Sequence, residues 1–354
     1  MIVKNEEMVL ERCLSSAGFF VDEIIIVDTG SKDKTKKIAR KFTDKIYDFK
    51  WVDDFSKARN FAFSKATKDF ILWLDADDII EENKDKFLQL KKSLTKENDV
   101  VMLKYNIAFD ADNNPTFSYY RERIVKNDRG FFWVDPVHEF MSIKGNIEYS
   151  NLSISHRKTS DAPSKRNLKI YEKLIKNETK LSPRQKFYYS RELMYNGFYK
   201  KAIKSFNDYL DNYNGWVENN IEACANLSFC FDKINDQQNA LYSLFKSFVF
   251  DEPRAENLCK VGDFFFNRNN FKQAIYWYEL ATRCGINLKS GAFVLTDYYK
   301  YIPYLQLCVC YSKQNEMKKA EEYNNLALEI KPYSKEALHN KAFFEDEKIK
   351  GEKI

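Results

Sequence analysis

The chain has 354 residues, more than one typical domain holds and comfortable for two. Its 57 Lys and Arg against 52 Asp and Glu leave a net charge of +5, a mildly basic surface that is no nucleic-acid signature by itself. Abundant aromatics (22 Tyr, 29 Phe) beside only 10 Gly and 7 Pro exclude a disordered chain and predict a high helix content. No stretch approaches the roughly 18–20 uninterrupted apolar residues of a membrane span. The opening MIVKNEE lacks the basic, apolar and small-residue order of a signal peptide. Seven cysteines, an odd number without CxxC spacing, read as buried free thiols in a reducing cytoplasm. The expectation is a cytoplasmic protein with no transmembrane segment and no nucleic-acid partner.

In chain order, EIIIVDTGS (23–31) is a continuous apolar run that ends in an acid and a glycine turn, as buried parallel strands do. KDKTKKIARKF (32–42) has helical spacing, with Ser31 and Asp33 as available caps. FSKARNFAFSKAT (55–67) predicts a second helix, FILWL (70–74) a strand and DVVMLKYNIAF (99–109) another strand. This βαβ rhythm predicts an α/β domain over residues 1–160, a Rossmann-like, mostly parallel sheet with helices on its faces. Ligands of such sheets bind beyond the carboxyl ends of the strands, and Asp28 and Asp75 to Asp77 would end strands on one edge.

From about residue 165 the pattern turns wholly helical, so an all-α second domain is expected over 161–354. GFYKKAIKSFNDYL (197–210), DQQNALYSLFKSFV (236–249), NFKQAIYWYELAT (270–282) and EMKKAEEYNNLALEIKP (316–332) repeat one another, with a small residue at Ala202, Ala240, Ala274 and Ala320. The intervals of 38, 34 and 46 residues resemble tetratricopeptide repeats, whose period is ~34, with an irregular third interval. Such arrays offer a concave surface to a peptide or protein, or serve as scaffold or dimer contact.

FILWLDADDII (70–80) places three acids between two apolar runs. A D-x-D after a strand suits a divalent cation bound through oxygen, and the cation in turn suits phosphates. Alone it is equally a polar turn, with Asp78 capping a helix over 79–94. His156 ends the alternating run NLSISH, either as a ligand or as a satisfied strand-end histidine. Arg121 and Arg123 of YYRERIVKN are phosphate-neutralising groups or exposed strand arginines. His339 reads as structural.

Five stretches in fixed order, MIVKNEE, VDTGSKDKT, WVDDFSKARN, WLDADD and FFWVDPVHEF, together resemble family 2 glycosyltransferases of the GT-A fold that carry C-terminal tetratricopeptide repeats. Sublancin-type peptide S-glycosyltransferases and bacterial protein O-glycosyltransferases are of this branch. The resemblance covers residues 1–160 closely and the repeats more loosely. It implies a metal-dependent inverting hexosyltransferase that moves a glucose- or N-acetylglucosamine-type sugar from a UDP-sugar to a Ser, Thr or Cys side chain of a protein or peptide. A cell-surface saccharide or lipid-linked glycan is the alternative acceptor. A non-catalytic binding module is a third reading, opposed by the presence of both D-x-D acids and Glu139.

By the same resemblance, Asp77 and Asp75 hold Mn²⁺ or Mg²⁺, Asp77 more directly, and His156 completes the metal site. Asp28 accepts a hydrogen bond from the base. Val3, Asn5 and Glu6 line the nucleoside, Glu6 taking the ribose hydroxyls. Arg59 contacts the nucleotide or positions the D-x-D loop, unless it pairs with Asp53 or Asp54, and Ala76 lies between the metal acids. Glu139 is the expected general base, with Asp135 as runner-up, and His138 contacts the sugar or acceptor. The resemblance also implies several apolar residues ahead of MIVKNEE, so the chain is expected to begin inside its first strand. WVDP lacks the usual glycine, and Pro136 is expected to stiffen that loop. A homodimer is a further expectation.

Overall fold

The computed structural model describes residues 1–81, 84–110, 113–157, 165–212, 215–287 and 291–351. The expected boundary at 160/161 lies outside these residues. Contacts divide the chain into two compact units, Met1–Lys180 with Leu288–Ala292, and Leu181–Asn287 with Phe293–Ile354.

In the first unit, β1 (Ile2–Val3), β2 (Ile26–Asp28) and β3 (Ile46–Asp48) form an all-parallel sheet in that order. Val3 stands opposite Asp28, and Asp28 opposite Asp48. The apolar run before Asp28 is therefore a buried central strand, as its composition requires. Helix α1 (Leu10–Ala17) follows β1, and its buried Leu10, Cys13, Leu14 and Ala17 recur at the helical period as one stripe. Helix α2 (Thr35–Ala39) is preceded by Lys34, which makes no side-chain cap. Of the two expected caps, Asp33 does meet the helix start, its Oδ1 accepting from the Thr35 amide at 3.0 Å, whereas Ser31 acts elsewhere. Ser31 Oγ accepts from the Asn5 amide at 2.9 Å and Asp33 Oδ2 from the Glu7 amide at 3.1 Å, so both fasten the loop after β1 to the loop after β2. That loop's amides have no helix or ladder of their own, which is why polar side chains are drawn to them.

Helix α3 (Phe55–Phe63), capped by Asp54 through the Lys57 amide at 3.0 Å, leads to β4 (Phe70–Leu72). There follow β5 (Asp78–Ile79), α4 (Lys84–Ser93), β6 (Val100–Phe109), β7 (Pro115–Lys126), β8 (Trp133–Val134), β9 (Phe140–Met141), β10 (Ile147–His156) and α5 (Arg166–Lys176). The second sheet runs β4-β7-β6-β10-β5 and is mixed, with β6–β10 its one parallel pair. Sequential β6 and β7 are joined too tightly for a crossover, and so short a connection permits only an antiparallel pair. β8 and β9 form a separate antiparallel ribbon.

Among the described residues no ladder pair joins β1 to β4. A cavity of about 410 Å³ is lined by Met1, by Ile24, Ile25 and Ile26 leading into β2, and by Phe70, Ile71 and Leu72 of β4. Helix α1 spans the gap with its stripe: Leu10 and Leu14 pack with Val3, Ile26 and Ala76, while Cys13 and Ala17 pack with Leu74, Ile80, Phe87 and Leu103.

The second unit pairs α6 (Pro183–Tyr195) with α7 (Tyr199–Asn212), α8 (Val217–Lys233) with α9 (Gln237–Lys246), α10 (Ala255–Phe266) with α11 (Phe271–Ala281), and α12 (Tyr301–Lys313) with α13 (Met317–Ile330). α14 (Lys335–Gly351) packs on α13. Ala202, Ala240, Ala274 and Ala320 are all buried on the second helix of a pair, which is the close approach that small side chains permit. Each pair turns through a left-handed residue, Gly197 (φ 78°), Asn235 (62°), Asn269 (57°) and Asn315 (60°). Glycine and asparagine tolerate that conformation best, so the turn repeats with the same intervals as the alanines.

A second close approach involves Gly262 of α10, where an added Cβ would sit 2.6 Å from the ring of fully buried Tyr278 of α11. Gly262→Ala is expected to overpack this contact and destabilise the repeat unit by about 1–3 kcal/mol, read as an earlier midpoint in urea or on heating.

Candidate functional site

The loops that follow β1, β2 and β4 open onto a cleft of about 590 Å³. Of the residues anticipated from the sequence, Val3, Asn5, Glu6, Arg59, Asp75, Ala76, Asp77, His138, Glu139 and His156 line it. Asp28 and Asp135 do not. Three strand ends and the β8–β9 ribbon thus deliver residues from across 154 positions of sequence to one wall.

The D-x-D segment divides differently from its expected reading. Asp78 caps no helix: it lies in β5, fully buried, well before α4 begins at Lys84. Its Oδ2 accepts from the Asp75 amide at 2.9 Å and from Arg123 Nη1 at 2.9 Å, and its Oδ1 from the Tyr105 hydroxyl at 2.8 Å. A buried carboxylate is stable only when paired and hydrogen-bonded in this way. Arg123 is likewise neither exposed nor facing the cleft. It is fully buried, its guanidinium 4.0 Å from the Trp73 ring and 4.1 Å from that of Tyr105.

Asp75 Oδ1 accepts from Arg59 Nη2 at 2.7 Å, and Glu139 Oε1 accepts from Arg59 Nε at 2.7 Å. Arg59, anticipated as a nucleotide contact, therefore bridges the D-x-D segment to the expected base. It has no ion pair to Asp53 or Asp54: Asp54 caps α3, and Asp53 meets Lys173. The guanidinium lies beside two indoles that pack edge to face, 5.2 Å from the Trp73 ring and 4.9 Å from that of Trp133. Burial works against charge on Asp75, but Arg59, with Arg123 behind it, holds its carboxyl well below the usual range.

The loop that carries Glu139 is held from three sides. Asn60 Oδ1 accepts from the Trp133 amide at 2.7 Å, the Phe55 amide donates to the Pro136 carbonyl at 2.9 Å, and the Tyr171 hydroxyl donates to the Val137 carbonyl at 3.3 Å. Within it Asp135 (φ 74°) and His138 (φ 53°) hold left-handed backbone, a strained state that neighbouring contacts must maintain.

His156 Nδ1 stands 3.3 Å from Asp77 Oδ1 and 3.2 Å from Asp78 Oδ1. One ligand atom from each of Asp77, Asp78 and His156 lies within 4.8 Å of the others, a group whose carboxylate and imidazole donors suit a hard or borderline divalent cation. Asp78 is already committed to Arg123 and Tyr105, so Asp77 and His156, which line the cleft, are the members open to an ion there. Burial disfavours the charged ring, yet the hydrogen bonds to Asp77 and Asp78 raise His156 to about 9. The two carboxylates thus gather negative charge around the ring, which suits a cation, and the ring would give up its proton to take one. Asp75, expected beside Asp77 as a ligand, is outside this group.

Asp28 is buried, with Oδ1 accepting from the Gly30 and Ser31 amides at 2.9 and 2.8 Å. Its Oδ2 finds no hydrogen-bond partner among the described residues. Sequence reasoning missed Trp51, Phe55, Arg166 and Asn167, which also line the cleft. The Arg166 guanidinium packs 4.5 Å from the Phe55 ring, a contact between residues 111 positions apart that no local pattern announces.

Glu6 is raised from its ordinary 4.5 to about 7 by burial, then by the negative charges of Asp77, Asp75 and Asp33. An acid whose folded pKa is raised weakens the fold as pH climbs from the unfolded value through the folded one, here from about 4.5 to about 7. Glu6→Gln is therefore expected to melt higher than the unaltered chain at pH 8 and at the same temperature at pH 4.

Comparison with known proteins agrees with this geometry. Residues 1–145 match the family model "Glycosyl transferase family 2". Glycosyltransferase SunS, from prophage SPbeta of Bacillus subtilis strain 168, is 27% identical over 233 residues, 60% of this chain and 53% of that protein. An uncharacterized glycosyltransferase of Rickettsia felis is 31% identical over 106 residues, 30% of this chain and 34% of that one. A TPR repeat-containing protein of Synechococcus elongatus is 51% identical over 78 residues, 22% of this chain and 19% of that one. The chain thus spans between about a fifth and about half of the length of these relatives. Its residues 1–145 are a glycosyl transferase family 2 domain, joined in one chain to tetratricopeptide-type repeats.

Proposed function

We propose that the chain transfers a hexose, with inversion, from a UDP-sugar to a Ser, Thr or Cys side chain of a protein or peptide. The observation that carries this reading is the gathering of Asp77, His156 and Glu139 on one cleft, with the orphaned Asp28 Oδ2 beside the adjoining strand end. Asp28 Oδ2 takes a base N–H, and Glu6 takes ribose hydroxyls. Asp77 and His156 would hold Mn²⁺ or Mg²⁺, with Asp78 against the same ring nitrogen as Asp77. When bound, that ion neutralises charge that develops on the leaving diphosphate.

At the acceptor side, the nucleophile's oxygen or sulfur bonds to the anomeric carbon as the bond from that carbon to the diphosphate oxygen breaks. Glu139 takes the nucleophile's proton. Glu139 rather than Asp135 is assigned this role because Glu139 lines the cleft. Arg59 holds its other oxygen, so the carboxylate meets the acceptor in a fixed orientation. The repeats supply the polypeptide contact, and buried thiols fit a cytoplasmic setting: Cys13, Cys224, Cys230, Cys259, Cys308 and Cys310 are buried and Cys284 partly so. Among the described residues no helix is long and apolar enough to cross a membrane.

Incubation with UDP-glucose or UDP-N-acetylglucosamine, Mn²⁺ and candidate polypeptides is expected to add a hexose mass to one of them. Mass gain on saccharide or lipid-linked acceptors alone would overturn the polypeptide reading. Asp77→Ala is expected to lower donor turnover by about 10³-fold, close to 4 kcal/mol, by loss of the ion's charge stabilisation. Arg59→Lys cannot bridge two carboxylates with one planar fork. It is expected to lower kcat about 10–100-fold while UDP affinity, read by calorimetry, changes less than about threefold.

A further inference from the structure

Helix α5 turns a basic face to solvent beside the cleft. Lys165 stands at its start and Arg166 is its first residue, and Lys169 and Lys173 follow, so that Lys165, Lys169 and Lys173 succeed one another at one helical turn. All four side chains are exposed, and with Asp53 and Ile170 they line a hollow of about 530 Å³. Both oxygens of Asp53 are already engaged: Oδ1 accepts from Trp51 Nε1 at 2.9 Å, and Oδ2 from Lys173. The charge of Lys4 also acts on this carboxylate. Glu172, the one acid of α5, is not among the lining residues. Among the described residues neither Lys165 nor Lys169 has an ion pair, so the hollow carries a surplus of positive charge.

Three contacts tie the hollow to the side of the cleft where Glu139 stands. Arg166 lines both. Its guanidinium packs on Phe55, whose amide donates to the Pro136 carbonyl. Tyr171, on the buried side of the same helix, donates to the Val137 carbonyl two residues before Glu139. The cleft, in contrast, carries the acids Glu6, Asp75, Asp77 and Glu139, of which Arg59 pairs two. A ligand that bears carboxylates is therefore repelled in the cleft and attracted at α5.

We propose that the α5 hollow binds an acidic stretch of the acceptor polypeptide, close in sequence to the side chain that receives the sugar. The inference rests on the transfer to a polypeptide proposed above and names the class of polypeptide. The spacing fits an extended segment. Lysines one turn apart are separated by ~6 Å along a helix, and alternate side chains of an extended chain lie ~6.6 Å apart on one face. Acids at alternate positions thus meet Lys165 and Lys169 in step. Repulsion from the cleft acids keeps those groups on α5 and leaves an uncharged Ser, Thr or Cys to enter beside Glu139. Exposed charges of this kind are screened by salt and act on encounter and choice of partner.

The test uses the full chain and a short fluorescein-labelled peptide in which one serine is followed by alternating glutamate and alanine, with a counterpart that has glutamine for glutamate. Binding is read by anisotropy at low salt, without donor or metal. The glutamate peptide is expected to bind at least about tenfold more tightly than the glutamine one, and Lys165→Glu combined with Lys169→Glu is expected to remove that preference. A peptide with lysine for glutamate is expected to bind the double variant at least about tenfold more tightly than the unaltered chain, a rescue that damage to the fold would not give. Equal binding of the glutamate and glutamine peptides overturns the inference. So does a double variant that keeps the preference, or one that loses only UDP or vesicles of phosphatidylserine and phosphatidylcholine. Should the double variant melt early, Lys169→Ala alone carries the comparison: a loss of about threefold supports the inference, and no loss overturns it. A glutamate peptide that binds but gains no hexose mass once UDP-sugar and Mn²⁺ are added faults the transfer reading and leaves the docking standing.

Discussion

One guanidinium organises the cleft. Arg59 has a rigid fork, and each prong holds a carboxylate from a different segment, Asp75 after β4 and Glu139 in the loop that joins β8 to β9. Two indoles packed edge to face beside it help to bury the guanidinium, which lowers the local dielectric and strengthens both pairs. A lysine's point charge could satisfy one partner but not the geometry of two. The strained Asp135 and His138 backbone of the same loop persists because these contacts, with Asn60 and Tyr171, over-determine its path.

A second buried charge pair stands behind the first. Arg123 and Asp78 have no access to solvent; Arg123, the Tyr105 hydroxyl and the Asp75 amide donate to the Asp78 oxygens, and Arg123 also donates to the Trp73 carbonyl. Their reach extends to His156, whose Nδ1 meets both Asp78 Oδ1 and Asp77 Oδ1. On the proposed metal role of His156, the committed Asp78 carboxylate would help to orient the ring, as outer groups do in metal sites.

The sequence made much of this legible where the signal was local. The apolar run before Asp28, the strand 99–109 and the helix 55–67 each carry their own periodicity, and the structure has elements at all three. The recurring alanines likewise marked the second helices because a small side chain is needed wherever helices approach closely. Asp78 was misread because its neighbours in sequence suggest a turn, whereas its partners lie 27 and 45 positions away in Tyr105 and Arg123. The two-residue strands β8 and β9 are too short to show a period, and their place is set by Trp133 packing between α3 and β4. The turn residues Asn235, Asn269 and Asn315 carried a readable signal at the repeat intervals, but one that becomes meaningful only once the backbone is seen to be left-handed there.

The gap between β1 and β4 has a thermodynamic consequence. Among the described residues, backbone hydrogen bonds run within each sheet but not across that line, so side chains of α1 help to fasten Asp28's sheet to the segment that carries Asp77. A molecule whose one end engages Asp28 and whose other end engages Asp77 closes the line as a clasp does, and its binding free energy becomes cohesion of the domain. At a hundred times its dissociation constant such a clasp adds about 2.7 kcal/mol to stability. On the proposed function a nucleotide-sugar would be such a clasp, and amide exchange along Ile24–Ile26 and Phe70–Leu72 is where the added cohesion would be visible.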